Sequence, residues 1–150
     1  MPQSFHLIPI HIVWSTKNRY PFIKPEIEIE LYKYIGSIFS EYDSPALIIN
    51  GSRDHIHVLS MLNRTITVAK LIEEAKKSSS KWIKSKGEHF KNFYWQTGYA
   101  AFGIGKHQIY DVQQYIHNQK EHHLRWTFKE EHILLLNKYS IQYDNRYIWD

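Results

Sequence analysis

Apolar and polar positions alternate through residues 5–14, with Ile8, Ile10, Ile12 and Trp14 on one side of an extended chain, which predicts a strand. Pro9 has no N–H for a ladder, so it marks a bulge or the strand's unpaired start. Residues 16–24 are polar and read as a loop. From Pro25 the period changes to 3.6. Ile27, Leu31, Tyr34, Ile35, Ile38 and Phe39 form an apolar stripe, and Glu26, Glu28 and Glu30 crowd the positive end of the helix. Residues 46–49 form a short buried strand. Asn50-Gly51 favours positive φ and a hairpin-type reversal, and residues 55–60 return as the next strand. A second helix covers residues 67–85, with Val68, Leu71, Ile72, Ala75, Trp82 and Ile83 inward and most of its lysines outward. After a loop at 87–92, residues 93–95 read as a short strand and 99–104 as a better one.

A third helix is expected over residues 107–122, anchored by Ile109, Val112 and Ile116. Tyr115 and Gln119 are four residues apart and share one flank of it. The remainder reads as a docked tail with a short helix near 130–137. No repeat or linker interrupts residues 1–150, so a single domain is expected. The order β-α-β-β-α-β with one more helix is the ferredoxin-like arrangement of the α+β class. Its antiparallel sheet would carry helices on one face and the extra, tyrosine-bearing C-terminal helix over the other.

Composition narrows the class. The chain has 150 residues, 43% of them hydrophobic, and no cysteine, which excludes a disulfide scaffold or a thiolate zinc site. No apolar run approaches the ~20 residues of a membrane span, and no basic-then-apolar leader opens the chain, so no membrane partner and a cytoplasmic location are expected. Formal charge is +4 and aromatics make up 15%. Lys70, Lys76, Lys77, Lys81, Lys84 and Lys86 crowd one stretch, with Lys17 and Arg19 elsewhere. Cations interleaved with rings suit single-stranded nucleic acid; a solvated helix face above a tyrosine-rich core accounts for the same composition.

The candidate chemistry centres on His55-Ile56-His57. In a strand the two imidazoles project together while Ile56 points the other way. Such a pair can bind a divalent metal, and a metal can polarise a phosphate. With 10 histidines in the chain the spacing alone is weak. Were the strand central, Ile56 and Val58 would face the two helices, and the histidines would face the side that the third helix covers.

The flanking words decide between these readings. His11-Ile12-Val13-Trp14-Ser15-Thr16-Lys17, Asn50-Gly51, Asp54-His55-Ile56-His57, Lys77-Ser78-Ser79-Ser80, Trp95-Gln96-Thr97-Gly98-Tyr99, Tyr115-Ile116-His117-Asn118-Gln119 and His122-His123 occur in this order. Across nearly its whole length the chain resembles the single-tyrosine (Y1) transposases of the IS200/IS605 type, members of the HUH endonucleases. The resemblance implies that His55, His57 and Gln119 are metal ligands and that Tyr115 is the nucleophile. It further implies a homodimer that acts on single-stranded DNA with hairpin ends in DNA transposition and recombination. One departure is Gly98-Tyr99-Ala100-Ala101-Phe102 followed by Gly103 and Gly105, which gives the tyrosine helix a poorer N-cap than Ser or Asp. The cofactor implied is a divalent metal, Mg2+ or Mn2+. Two imidazoles and an amide form a neutral set softer than Mg2+ prefers, so Mn2+ should bind more tightly.

On this reading Lys17, Arg19, Lys76, Lys77 and Lys81 contact DNA. Asp54 and Trp95 serve the turn and the core. His122 and His123 pack or face solvent near a helix end and are not ligands, although His122, one turn beyond Gln119, is within reach of the site. The competing functions are a single-strand or hairpin DNA-binding protein without catalysis, and a metal-dependent phosphodiesterase that uses water and leaves Tyr115 dispensable.

Overall fold

Pro9 cannot extend a ladder upstream, and in the computed structural model, which describes residues 2–150, it opens the first strand, β1 (Pro9–Ser15). The strand therefore begins later than the alternation of 5–14 suggests. Helix α1 (Pro25–Glu41) buries Ile27, Leu31, Ile35, Ile38 and Phe39. The strands β2 (Ala46–Gly51) and β3 (His55–Met61) form a hairpin, and α2 (Val68–Lys84) follows with Thr67 accepting the Lys70 N–H at 3.0 Å as its cap. β4 (Ala100–Gly103) completes an antiparallel sheet of order β2-β3-β1-β4, the ferredoxin-like order. Residues 93–95 form no strand and contribute only the bridge Thr16–Trp95.

The two faces of the sheet differ in kind. Ile10, Ile12, Trp14, Ile56 and Val58 pack with α1 and α2 in one apolar core. Burying side chains of this size stabilises the fold by roughly 1.5–3 kcal/mol each. The alternate residues His11, Val13, His55 and His57 are buried on the opposite face. Among the described residues no helix is long and apolar enough to cross a membrane.

The cover of that second face differs from the continuous helix expected over 107–122. A short 3-10 turn (Lys106–Gln108) leads into α3 (Ile109–His117), Asn118 leaves helical geometry at φ −91° and ψ 17°, and a single turn, α4 (Gln119–His122), follows. The end of β2 meets this break. The Asn50 amide donates to the carbonyls of Ile116 and His117 at 2.9 and 3.1 Å, where α3 ends, while the Lys120 ammonium binds Gly51 O and Glu28. The weak cap foreseen at Gly105 is offset by Gln108, whose amide oxygen accepts the Gly105 N–H at 2.8 Å.

Val112 and Ile116 anchor α3 against Leu59 and Ile104. The tail helix α5 (Phe128–Lys138) is longer than expected and shares the cover, setting Phe128, Leu135 and Leu136 on Val13, Ala100 and Phe102. Gly51 also departs from expectation. Its φ is not positive; a Cβ there would lie 2.2 Å from His55 O, so close backbone approach is what requires glycine.

Candidate active site

His55 and His57 sit on β3 with no exposed surface, and α3, α4 and α5 deliver their partners. The His55 Nδ1–H donates to Asp54 Oδ1 at 2.7 Å, and the Ser52 hydroxyl donates to the same carboxylate at 2.8 Å. This fixes the imidazole and turns Nε2 inward. His57 Nδ1 meets His11 Nε2 at 2.8 Å, so its second nitrogen is also held.

Both inward nitrogens converge on Glu131 of α5. Glu131 Oε1 lies 3.3 Å from His55 Nε2, 2.9 Å from His57 Nε2 and 3.1 Å from His123 Nε2. Its other oxygen, Oε2, accepts the Tyr115 hydroxyl and, at 2.9 Å, the Gln119 amide N–H. Gln119 is fully buried, and its amide oxygen stands 3.3 Å from His55 Nε2 and 3.0 Å from His123 Nε2. The sequence-predicted histidines, Tyr115 and Gln119 thus meet in one cluster. The Tyr115 ring lies 5.9 Å from that of His57 and 4.9 Å from that of His122.

The electrostatics follow from burial and these contacts. Burial works to raise the Glu131 carboxyl, but hydrogen bonds from His123, His55 and His57 overrule it and hold it well below the carboxylate range. Burial disfavours charge on His55 too, yet Asp54 and Glu131 push it up to about 9. His57, desolvated and less well compensated, falls to about 4. Burial and the Glu131 charge raise the Tyr115 phenol above its usual range.

The donors fit a metal ion. One nitrogen each from His55, His57 and His123 and one Glu131 oxygen all lie within 4.8 Å of one another. Ligands at ~2.1 Å in octahedral geometry stand about 3 Å from their neighbours, close to the spacings found here. His55 and His57 offer neutral nitrogens once His55 loses its proton, and Gln119 and Glu131 add oxygens.

Four residues of the cluster escaped the sequence reading: His11, Asp54, His123 and Glu131. Asp54 does more than serve the turn, since it orients His55. His123 reaches the cluster, while His122 packs its ring against that of Tyr115. Strand alternation already placed His11 on the histidine face, and His123 stands four residues after Gln119. Glu131 carried a fainter signal, a carboxylate between Phe128 and Leu135 on the apolar side of its helix.

The proposed DNA-contacting cations are scattered. Lys77 and Lys81 are exposed on α2, which packs on the sheet face opposite the histidines. The Lys76 ammonium donates to the carbonyls of Gln96 and Gly98 at 2.9 and 2.6 Å, and burial pulls it down to about 8. Lys17 lies over Tyr94, and Arg19 lies over Trp149. Trp95 donates its indole N–H to Ser79, which accounts for one of the mid-helix serines. Nearer the cluster, a cavity of about 490 Å³ opens onto Tyr115, His123 and Glu131 and is bordered by Arg125 and Trp126.

Comparison with known proteins bears on this arrangement. The family model described as "Transposase IS200 like" matches residues 4–119. No curated protein matches the chain. A candidate transposase from Deinococcus radiodurans R1 superposes with a TM-score of 0.62 at 20% identity, over 79% of this chain and 98% of that one. A REP-associated tyrosine transposase bound to a REP hairpin superposes with a TM-score of 0.60 at 15% identity, over 85% of this chain and 76% of the other. At these identities the two structures establish the common fold.

Proposed function

The chain belongs to the IS200-like transposase family, and from that premise we propose that it cleaves and rejoins single-stranded DNA through a covalent link to Tyr115. The observation that carries this reading is the hydrogen bond from the Tyr115 hydroxyl to Glu131, the same carboxylate that His55 and His57 face. A nucleophile and a set of metal donors then share one buried cluster.

A phosphodiester resists attack because its charge repels nucleophiles and its leaving alkoxide is poor. A divalent ion, Mg2+ or Mn2+, held by His55, His57 and Gln119 would draw charge from a non-bridging phosphate oxygen and stabilise the transition state. The protein's own groups do the rest. Asp54 and His11 keep the two imidazoles aimed inward, Glu131 and Gln119 hold the tyrosine side of the site, and Arg125 with Trp126 borders the opening where a strand can lie. As the bond from Tyr115 Oη to phosphorus forms, the bond from phosphorus to the 3′-oxygen breaks. The phenolic proton is lost and the departing oxygen gains one, leaving a 5′-phosphotyrosine and a free 3′-OH. The link preserves the free energy of the broken bond, so another 3′-OH can displace Tyr115 and rejoin DNA without ATP.

The substrate is single-stranded DNA with hairpin ends, and the working form is a homodimer. The hairpin in the REP-associated neighbour supports the first of these. In this reading Lys17, Arg19, Lys77 and Lys81 contact the DNA backbone away from the cleaved bond. Lys76 contributes by holding the 96–98 segment.

Labelled single-stranded DNA incubated with the protein and Mn2+ should yield a covalent adduct on a denaturing gel. Tyr115→Phe should abolish the adduct, as should the double change His55→Ala, His57→Ala. Cleavage that survives Tyr115→Phe would replace this reading with a water-using phosphodiesterase, and binding without cleavage would leave only a DNA-binding protein.

A further inference from the structure

Glu131 is 3% exposed and sits on the apolar side of α5, where a carboxylate is costly unless its oxygens are all engaged. It lies beyond residues 4–119, the span that the family model matches. Its placement is firmly built. Thr127 caps α5 by accepting the Glu130 N–H at 3.2 Å, the Phe128 ring lies 4.8 Å from that of His55, and Leu135 and Leu136 pin the helix to the sheet. These contacts hold the Glu131 side of α5 against the histidines.

The two oxygens face different partners. Oε1 stands among the Nε2 atoms of His55, His57 and His123, whereas Oε2 takes hydrogens from Tyr115 and Gln119. A carboxylate that only neutralised a protonated histidine would need one of these groups, not five.

We propose that Glu131 is itself a ligand of the site's divalent ion through Oε1, while Oε2 holds the Tyr115 hydroxyl, so that one carboxylate sets the distance between ion and nucleophile. The proposal rests on the metal-assisted tyrosine reading above. It changes the character of the site. Two imidazoles and an amide are neutral; a carboxylate adds the anionic oxygen that hard ions such as Mg2+ and Mn2+ prefer. It also gives α5 a part in the reaction centre, since the ion, the tyrosine helix and α5 are then joined through one side chain.

The test uses the full chain and Mn2+. Calorimetry should show Glu131→Gln binding Mn2+ more than about 100-fold more weakly than the unaltered protein, beyond the ~10–100-fold that loss of a mere hydrogen-bonding partner of the ligands costs. Glutamine keeps the shape and removes the charge. As a second measurement, the unaltered protein labelled with 13C at its glutamate carboxylates should show a 13C hyperfine coupling to bound Mn2+ by electron–nuclear double resonance. Glu131 is the glutamate of the donor cluster found among the described residues. Unchanged affinity in Glu131→Gln, or Mn2+ bound without a 13C coupling, overturns the proposal while leaving the tyrosine reading intact. Should Glu131→Gln fail to fold, the coupling in the unaltered protein decides. An unaltered protein that binds no Mn2+ overturns both.

Discussion

The His55 and His57 rings are 5.1 Å apart, both fully buried, and yet they titrate in opposite directions. Burial disfavours charge on both rings. At His55 the Asp54 and Glu131 carboxylates together overrule it, whereas His57 has Glu131 alone and is further opposed by His55 and His123. With His55 pushed up to about 9, the metal-free cluster holds a proton at neutral pH that an incoming ion must expel. Mn2+ affinity should therefore climb about tenfold per pH unit above neutrality and level off near the His55 value. Calorimetry in buffers of different ionisation enthalpy would show one proton released per ion at pH 7, and a pH-independent affinity would contradict this. The stability of the metal-free protein should run the other way. The raised His55 contributes in full below its unfolded value of 6.5, and that contribution is lost as pH rises through about 9. The depressed Glu131 contributes above its unfolded value of 4.5 and loses its contribution on acidification. Denaturation midpoints across pH in the presence of a chelator measure both trends.

At the scale of elements, the β2–β3 turn sets the site more than any helix does. It carries Asp54, which orients His55, and the adjoining Asn50 at the end of β2 holds the last carbonyls of α3 just ahead of Gln119. Gly51 permits this turn, because a Cβ would meet His55 O at 2.2 Å and Ile56 Cα at 2.8 Å. Gly51→Ala should destabilise the protein by about 1–3 kcal/mol, the usual cost of overpacking, and weaken Mn2+ binding as His55 shifts. An unchanged urea midpoint would show that the hairpin opens without cost. Much of the element order was legible in the sequence, because β1, α1, β3 and α2 each carry an unbroken apolar period and a clear boundary residue such as Pro25 or Thr67. The break at Asn118 was not. It is met by a side chain 66 residues or more away, and no local period in α3 records that. The reach of α5 was hidden for a related reason. Its contribution is one carboxylate on the leucine side of the helix, and an acid that follows Lys129 and Glu130 on a tail reads as solvent-facing until the helix is docked.

For the whole molecule, the ferredoxin-like sheet works as a partition. Aliphatic side chains and two long helices stabilise one face, which leaves the other free to hold polar groups that would be costly in a core. The histidine pair could be placed on that second face from strand alternation alone. The partners of the pair could not, since they come from three separate helical pieces brought together by the tertiary fold. The arrangement also places Tyr115 against the histidines of its own chain. A chain carrying His55→Ala and His57→Ala, mixed with a chain carrying Tyr115→Phe, should then remain inactive; restored cleavage would show that the tyrosine serves a partner subunit. The central claim is the covalent bond itself. DNA-reacted protein should be digested with nuclease and trypsin and analysed by mass spectrometry. The account predicts nucleotide phosphate on the peptide of residues 107–120, localised by fragmentation to Tyr115. Cleaved DNA accompanied by an unmodified Tyr115 would contradict it.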